Sequence, residues 1–231
     1  MTASRPMTPV RKLTFIHTVS ALEPMFASLA SERLAGWEIA STIDENLLAQ
    51  TIANGRVDQK VFSDLERHVQ AATNVGSSAI IVTCSTLGEA VDQLAARTAT
   101  PLYRIDRGMA ERAVVQASTI GILATLPTTL DPTARLLQST AERMRRHCKF
   151  ISRLSAGAFS CLREGNREGH DERVRKDYEA LSGEVELVVL AQASMARALH
   201  EGPLHRPYLT SPELGMDYIA QVLRLSRMSV D

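Results

Sequence analysis

Cys84 lies in the segment TCSTLGEA, where an apolar β-branched run gives way to a helical pattern. Free N–H groups at the start of a helix stabilise negative charge, so a thiol placed there is expected to have a depressed pKa. The same N–H groups, with the hydroxyls of Ser85 and Thr86, form a cradle for a carboxylate or phosphate. A thiol beside an anion cradle can act as general acid or base on a bound carboxylate. The competing reading is a small cysteine that merely fills a strand end. Gln192, in AQASMA, occupies a matching place, with Ser194 standing where Thr86 stands in the first segment. A carboxamide donates and accepts hydrogen bonds but does not titrate, so Gln192 would orient a substrate or water, or simply cap the next helix. Thr18 and Thr125 end two further apolar runs, LTFIHT and TIGILAT, and Thr128 and Thr129 extend the second. Each could bond a carboxylate or serve as a local turn residue. His17, beside Thr18, could assist proton transfer if it faces a cleft; a hydrogen-bonded structural histidine is the alternative.

These residues fall on a repeat. Thr18 and Cys84 are 66 residues apart, and Thr125 and Gln192 are 67 apart. Equal spacing between like elements marks an internal duplication, so two related half-molecules are expected to bring their strand ends to one cleft. The elements that would position them alternate throughout. Strands are expected at Leu13–His17, Trp37–Ser41, Ala79–Thr83, Leu102–Ile105, Ile120–Ala124, Phe150–Leu154, Leu187–Ala191 and Tyr208–Thr210. Runs such as AIIV and ELVVL are apolar at nearly every position, as in strands covered on both faces. Helical patterns occupy Val57–Ala72, Leu87–Ala96, Gly108–Ala117, Thr133–His147, Asp171–Leu181, Met195–Leu199 and about Pro212–Leu225. Asp131-Pro132 and Ser211-Pro212 read as helix starts. Ser160–His170, with two glycines and alternating charges, reads as a loop ending in a helix start at His170 and Asp171. The fold class is therefore α/β: two pseudo-symmetric lobes with mainly parallel sheets and a cleft between them. Residues 1–100 with 207–231 should form the first lobe, and 101–206 the second.

Composition narrows the functions. The 231-residue chain is 45% hydrophobic, and its 26 basic residues balance 26 acidic ones. That balance gives no footprint for nucleic acid or an anionic membrane. The cluster Arg143, Arg145, Arg146, His147 reads as a solvated helix face. Cys84, Cys148 and Cys161 lack the count of a disulfide scaffold and the CxxC spacing of a zinc site; Cys148 and Cys161 are read as structural. Arg5, Arg11 and Lys12 precede an apolar run, but His17 and Glu23 break it, which argues against a leader peptide. No stretch reaches the roughly 20 apolar residues of a membrane span. A cytoplasmic location fits. No metal, dinucleotide or nucleotide motif is present.

The elements IIVTCST, IGILAT and VVLAQASM, at these spacings, resemble the aspartate/glutamate/hydantoin racemase superfamily over nearly the whole chain. The resemblance implies two pseudo-symmetric α/β domains, an active site between them and no cofactor. In the racemases a cysteine from each half faces the acidic carbon, one removing a proton and the other returning one, while hydroxyls after the strands hold the carboxylate. Cys84 matches the first cysteine. Gln192 stands where the second belongs, a departure from two-base racemisation, and the AQASM form resembles a subgroup. Relatives that decarboxylate arylmalonates also use one cysteine, in the other half. The expectation is a cofactor-independent enzyme acting at the carbon next to a carboxylate, by one-cysteine isomerase, decarboxylase or lyase chemistry, or as an amino-acid racemase. The rivals are a non-catalytic small-carboxylate binding protein and a cysteine hydrolase using Cys84 and His17. Expected partners are a small carboxylate substrate and further copies of the chain.

Overall fold

The computed structural model describes residues 11–199 and 204–228; Arg5 of the leader argument lies outside the described residues. The first half runs β1 (Arg11–His17), α1 (Glu23–Arg33), β2 (Trp37–Ile43), α2 (Glu45–Asn54), α3 (Gln59–Asn74), β3 (Ala79–Val82), α4 (Gly88–Ala95), β4 (Leu102–Arg104) and α5 (Arg107–Gln116). The second runs β5 (Thr119–Ala124), α6 (Pro127–Arg143), β6 (Lys149–Leu154), α7 (Ala158–Arg163), α8 (Arg167–Ser182), β7 (Leu187–Leu190), β8 (Tyr208–Leu209) and α9 (Ser211–Met228). Each half builds a four-stranded sheet with the same order, β2-β1-β3-β4 and β6-β5-β7-β8. Every strand pair is parallel.

The register carries the repeat. Ile16 pairs with Val82 and Leu123 with Leu190, separations of 66 and 67. Thr18 and Thr125 lie two residues beyond β-pairs that continue to Cys84 and Gln192 respectively, so both pairs sit at equivalent strand ends. The inner strands β3 and β7 are buried at all positions, as their unbroken apolar runs require.

Alternate residues of each strand face opposite layers. Ile80 and Val82 join a core with α2, α3 and α4 residues; Ala79 and Ile81 join one with α1 and α9. The C-terminal helix thus returns to the first lobe, where Met216, Ile219, Ala220 and Leu223 pack with Leu13, Phe15 and Ile81. Its approach is close: a Cβ on Gly215 would meet the Ile105 carbonyl, and one on Gly108 the Leu214 carbonyl. α5 packs with the second sheet, through Met109, Ala110, Ala113 and Val114.

Some expectations are corrected. Leu102–Arg104, placed beyond the boundary at 100/101, is the edge strand of the first sheet, and Tyr208–Leu209 is the edge of the second. The segment Ser160–His170 is no open loop: α7 ends at Arg163, a short turn follows, and α8 begins at Arg167 with the Asn166 side chain accepting from Gly169 N–H. His170 and Asp171 lie inside α8. α6 starts at Pro127, six residues before the expected Thr133, and Pro132 sits within it rather than at its start. Leu126, extended before its proline (φ −130°, ψ 133°), sets that start.

Candidate active site

One cavity of about 950 Å³ opens at the C-terminal ends of both sheets, where ligands bind in open α/β folds. Cys84 and Gln192 both line it, with Thr18, Ser85, Thr86 and Ser194. The strand ends of the two lobes therefore meet at one cavity.

Cys84 follows β3 and opens a single 3-10 turn, Ser85–Leu87, that leads into α4. The residue is 8% exposed. Burial pushes the thiol above its ordinary pKa, opposed by hydrogen bonds from the Thr18 hydroxyl, the Leu87 and Thr86 N–H groups and the Thr86 hydroxyl. The expected depressed pKa is thus corrected: the donors expected from the chain direction are present, but loss of water outweighs them. The resting group is a protonated thiol.

Gln192 is held differently. Thr125 N–H donates to its Oε1 at 2.9 Å, and its Nε2 donates to Thr125 Oγ1 at 3.0 Å. Nε2 also lies 3.5 Å from Thr129 Oγ1, and Thr129 Oγ1 bonds Thr86 Oγ1 at 2.7 Å across the lobes. A second tie between the lobes, Arg135 to Glu89, lies alongside. The carboxamide spends both its ends locally. Thr125 N–H, expected as a donor to a substrate anion, already serves Gln192. The Ser85 hydroxyl takes no partner among the described residues and lines the cavity.

Three expected site residues do not line the cavity: Thr125, whose N–H and hydroxyl serve Gln192, and His17 and Thr128. His17 is fully buried, stacked on Phe15 and near Phe26, with Nδ1 2.8 Å from Thr83 Oγ1. It does not line the cavity. Burial lowers its pKa from 6.5 to about 4, partly opposed by Glu23, so it is a neutral structural histidine, bonded to Thr83 and not to Cys84. The thiol–imidazole pair required of a hydrolase is not formed. Thr128 also lies off the cavity, its buried hydroxyl without a partner among the described residues; one residue on, Thr129 faces in.

The chain positions several residues that sequence reasoning passed over. α2 is capped by Asp44, whose side chain accepts from Asn46 N–H. It buries Leu47 and Thr51 and turns Glu45, Leu48, Ala49 and Ile52 to the cavity. Their spacing, i, i+3, i+4, i+7, is a single helix face and was a readable signal. Opposite, α7 supplies Phe159, Leu162 and Arg163, joined by Arg167 and Arg197. Among the described residues no group of three or more His, Cys, Asp or Glu side chains could hold a metal ion, and no helix is long and apolar enough to cross a membrane.

Residues 18–215 match the family Asp/Glu/Hydantoin racemase. The chain belongs to that family. Solved structures agree at the level of fold. An Asp/Glu racemase-type protein from Yersinia pestis is 16% identical, with a TM-score of 0.74 over 92% of this chain and 99% of that one. A glutamate racemase isoform from Bacillus anthracis is 14% identical, with a TM-score of 0.71 over 94% of this chain and 82% of that one. The aspartate racemase of Picrophilus torridus is 11% identical, with a TM-score of 0.66 over 91% and 94%. No curated protein sequence matches the chain.

Proposed function

We propose that the protein is a one-thiol, cofactor-independent enzyme acting at the carbon next to a carboxylate, with Cys84 as its proton donor. The observation that carries this reading is the pairing at one cavity of a buried thiol, raised in pKa, with a carboxamide that cannot titrate. Abstraction of an α-proton needs a thiolate, whereas protonation of an enediolate needs the thiol. With a non-titrating Gln192 in the matching place of the second lobe, only one face has a proton donor, which favours the second role and hence a decarboxylase over a racemase. The same thiol would serve an isomerase or lyase in which one face is protonated.

For a malonate-type substrate the sequence of events is simple. Loss of CO2 leaves its bonding pair on the α-carbon, delocalised as an enediolate. The Ser85 hydroxyl and the N–H groups that now face Cys84 would stabilise the developing oxyanion. The Cys84 S–H delivers its proton to one face, and the thiolate regains a proton from solvent. Net, a dicarboxylate and one proton become a monocarboxylate and CO2. As the thiolate forms, the four donors on sulfur oppose the cost of its burial.

The test is a panel of 2-substituted malonates incubated in D2O, with CO2 release and product stereochemistry read by NMR and chiral chromatography. A product deuterated at one face is expected. Gln192→Cys, which places a second thiol opposite the first, should erode its enantiomeric purity on prolonged incubation. A racemic product from the natural chain, or racemisation of amino acids at an ordinary enzymatic rate, would overturn the one-thiol reading.

A further inference from the structure

The cavity is larger and more apolar than proton exchange on a small amino acid requires. Its volume of about 950 Å³ stands near the top of the roughly 300–1,000 Å³ range of pockets that enclose drug-sized ligands. Away from Cys84 an apolar stretch of wall is built by Leu48 and Ile52 from α2 with Phe159 and Leu162 from α7. These two helices occupy equivalent places in the two lobes, after β2 and β6, so the cleft is flanked by an apolar face from each half.

Its charge is lopsided. Arg163, Arg167 and Arg197 line the cavity, against Glu45 as the acidic lining residue among those described. Arg197 is committed to Asp171 at 2.9 Å. Arg163 and Arg167 have no ion-pair partner among the described residues and are exposed at the rim. The Glu45 carboxylate is held by Ser20 N–H at 2.9 Å, which lowers its pKa. A substrate ammonium would meet an excess of like charge, whereas a second anion would meet two unpaired guanidinium groups.

We infer that the site takes a long acid without a free amino group: its reacting carboxylate end at Cys84, an apolar body between α2 and α7, and a distal anionic end under Arg163 and Arg167. This recognition rests on the proposed chemistry only for which end reacts.

Isothermal titration at low salt tests it with α,ω-dicarboxylates from glutarate to sebacate, with decanoate as the equal-length monoacid and glutamate as the amino counterpart of glutarate. Sebacate should bind at least about fivefold more tightly than decanoate, the worth of one to two exposed arginine–carboxylate contacts. The double variant Arg163→Ala/Arg167→Ala should remove that advantage and leave glutarate unchanged. Glutarate should bind more tightly than glutamate. Equal affinity for sebacate and decanoate, no effect of the double variant on sebacate, or preference for glutamate would each overturn the inference. Cys84→Ala should keep the binding pattern while losing CO2 release. If the pattern holds and the natural chain turns over no malonate, the one-thiol chemistry fails and the recognition stands; the converse result leaves the chemistry and removes the recognition.

Discussion

The two lobes share strand order and register, yet their strand-end loops do opposite things with the side chain that faces the cleft. In the first, Thr18 and the turn after β3 direct their hydrogen bonds onto Cys84 sulfur, so the lobe's donors converge on a group that can gain or lose a proton. In the second, Gln192 reaches back and occupies Thr125 at both N–H and hydroxyl. One loop holds a titratable atom in a donor cage; the other has filled its own cage with an inert amide. A second asymmetry lies behind the first. His17 braces the end of β1 against Thr83, while the equivalent positions in the second lobe, Ala124 and Ala191, have no polar side chains and leave that brace to Gln192. Duplication supplies two similar loops, and divergence has left a titratable thiol in one and an amide in the other.

The largest effect that would break this comparison is on turnover. Cys84→Ala should lower the rate of proton delivery about a thousandfold, within the range for loss of a general acid. Gln192→Ala should cost only about tenfold, because it loosens Thr125 and Thr129 without removing a reacting group. Single-turnover kinetics on the malonate panel would measure both; equal losses would mean that the two loops share the chemistry.

The next effect concerns acid stability. His17 has a folded pKa near 4 against 6.5 when free, so above pH 6.5 it is neutral in both states and costs nothing. As pH falls from 6.5 to 4 the unfolded chain takes up a proton that the folded chain refuses, and stability declines by about 3 kcal/mol across that window. Urea titrations at pH 7 and pH 5 should show the decline, and His17→Asn should remove most of its slope. A slope unchanged by the substitution would locate the acid sensitivity elsewhere.

The smallest effect should come from the bridge between the lobes. Thr129→Val deletes the bond to Thr86 and the long contact to Gln192, for a loss of about 1 kcal/mol of stability, read from denaturant titration. A second readout sharpens it: sebacate affinity should fall little, since Thr129 lies in the first turn of α6 and the apolar walls are untouched.

The sheets were legible because apolar β-branched runs leave few alternatives; β3 and β7 are buried at every position, as AIIV and LVVL demand. Their matched spacing also directs Cys84 and Gln192 to one cavity. Helices were harder where their pattern is weak. α1 keeps Phe26, Leu29 and Ala30 inside, but Ser28, Ser31 and the charged residues around them blur the face. α7 is six residues long within a charged, glycine-containing stretch. Placing the start of α6 at Thr133 hid which threonine faces the cavity, since one residue along a helix turns a side chain by about 100°; Thr128 and Thr129 read alike in the sequence, and Thr129 is the one that faces in. The thiol's pKa failed for a different reason. Sequence shows the donors that favour thiolate but not the dehydration that opposes them.

The return of α9 to the first sheet has a consequence for biosynthesis. Until residues 216–223 leave the ribosome, Leu13, Phe15 and Ile81 lack the helix that covers them, although the strands bearing them were made first. The second sheet's core draws on α5, α6 and β7, with Leu209 and Leu214 at its margin, and is nearly complete earlier. The lobe translated first is therefore the lobe finished last, and a nascent chain passes through a stage in which its N-terminal half carries an open apolar face. Termination ahead of residue 211 should yield a protein whose Cys84 sits in a lobe with one side of its sheet uncovered, dependent on chaperones to stay in solution.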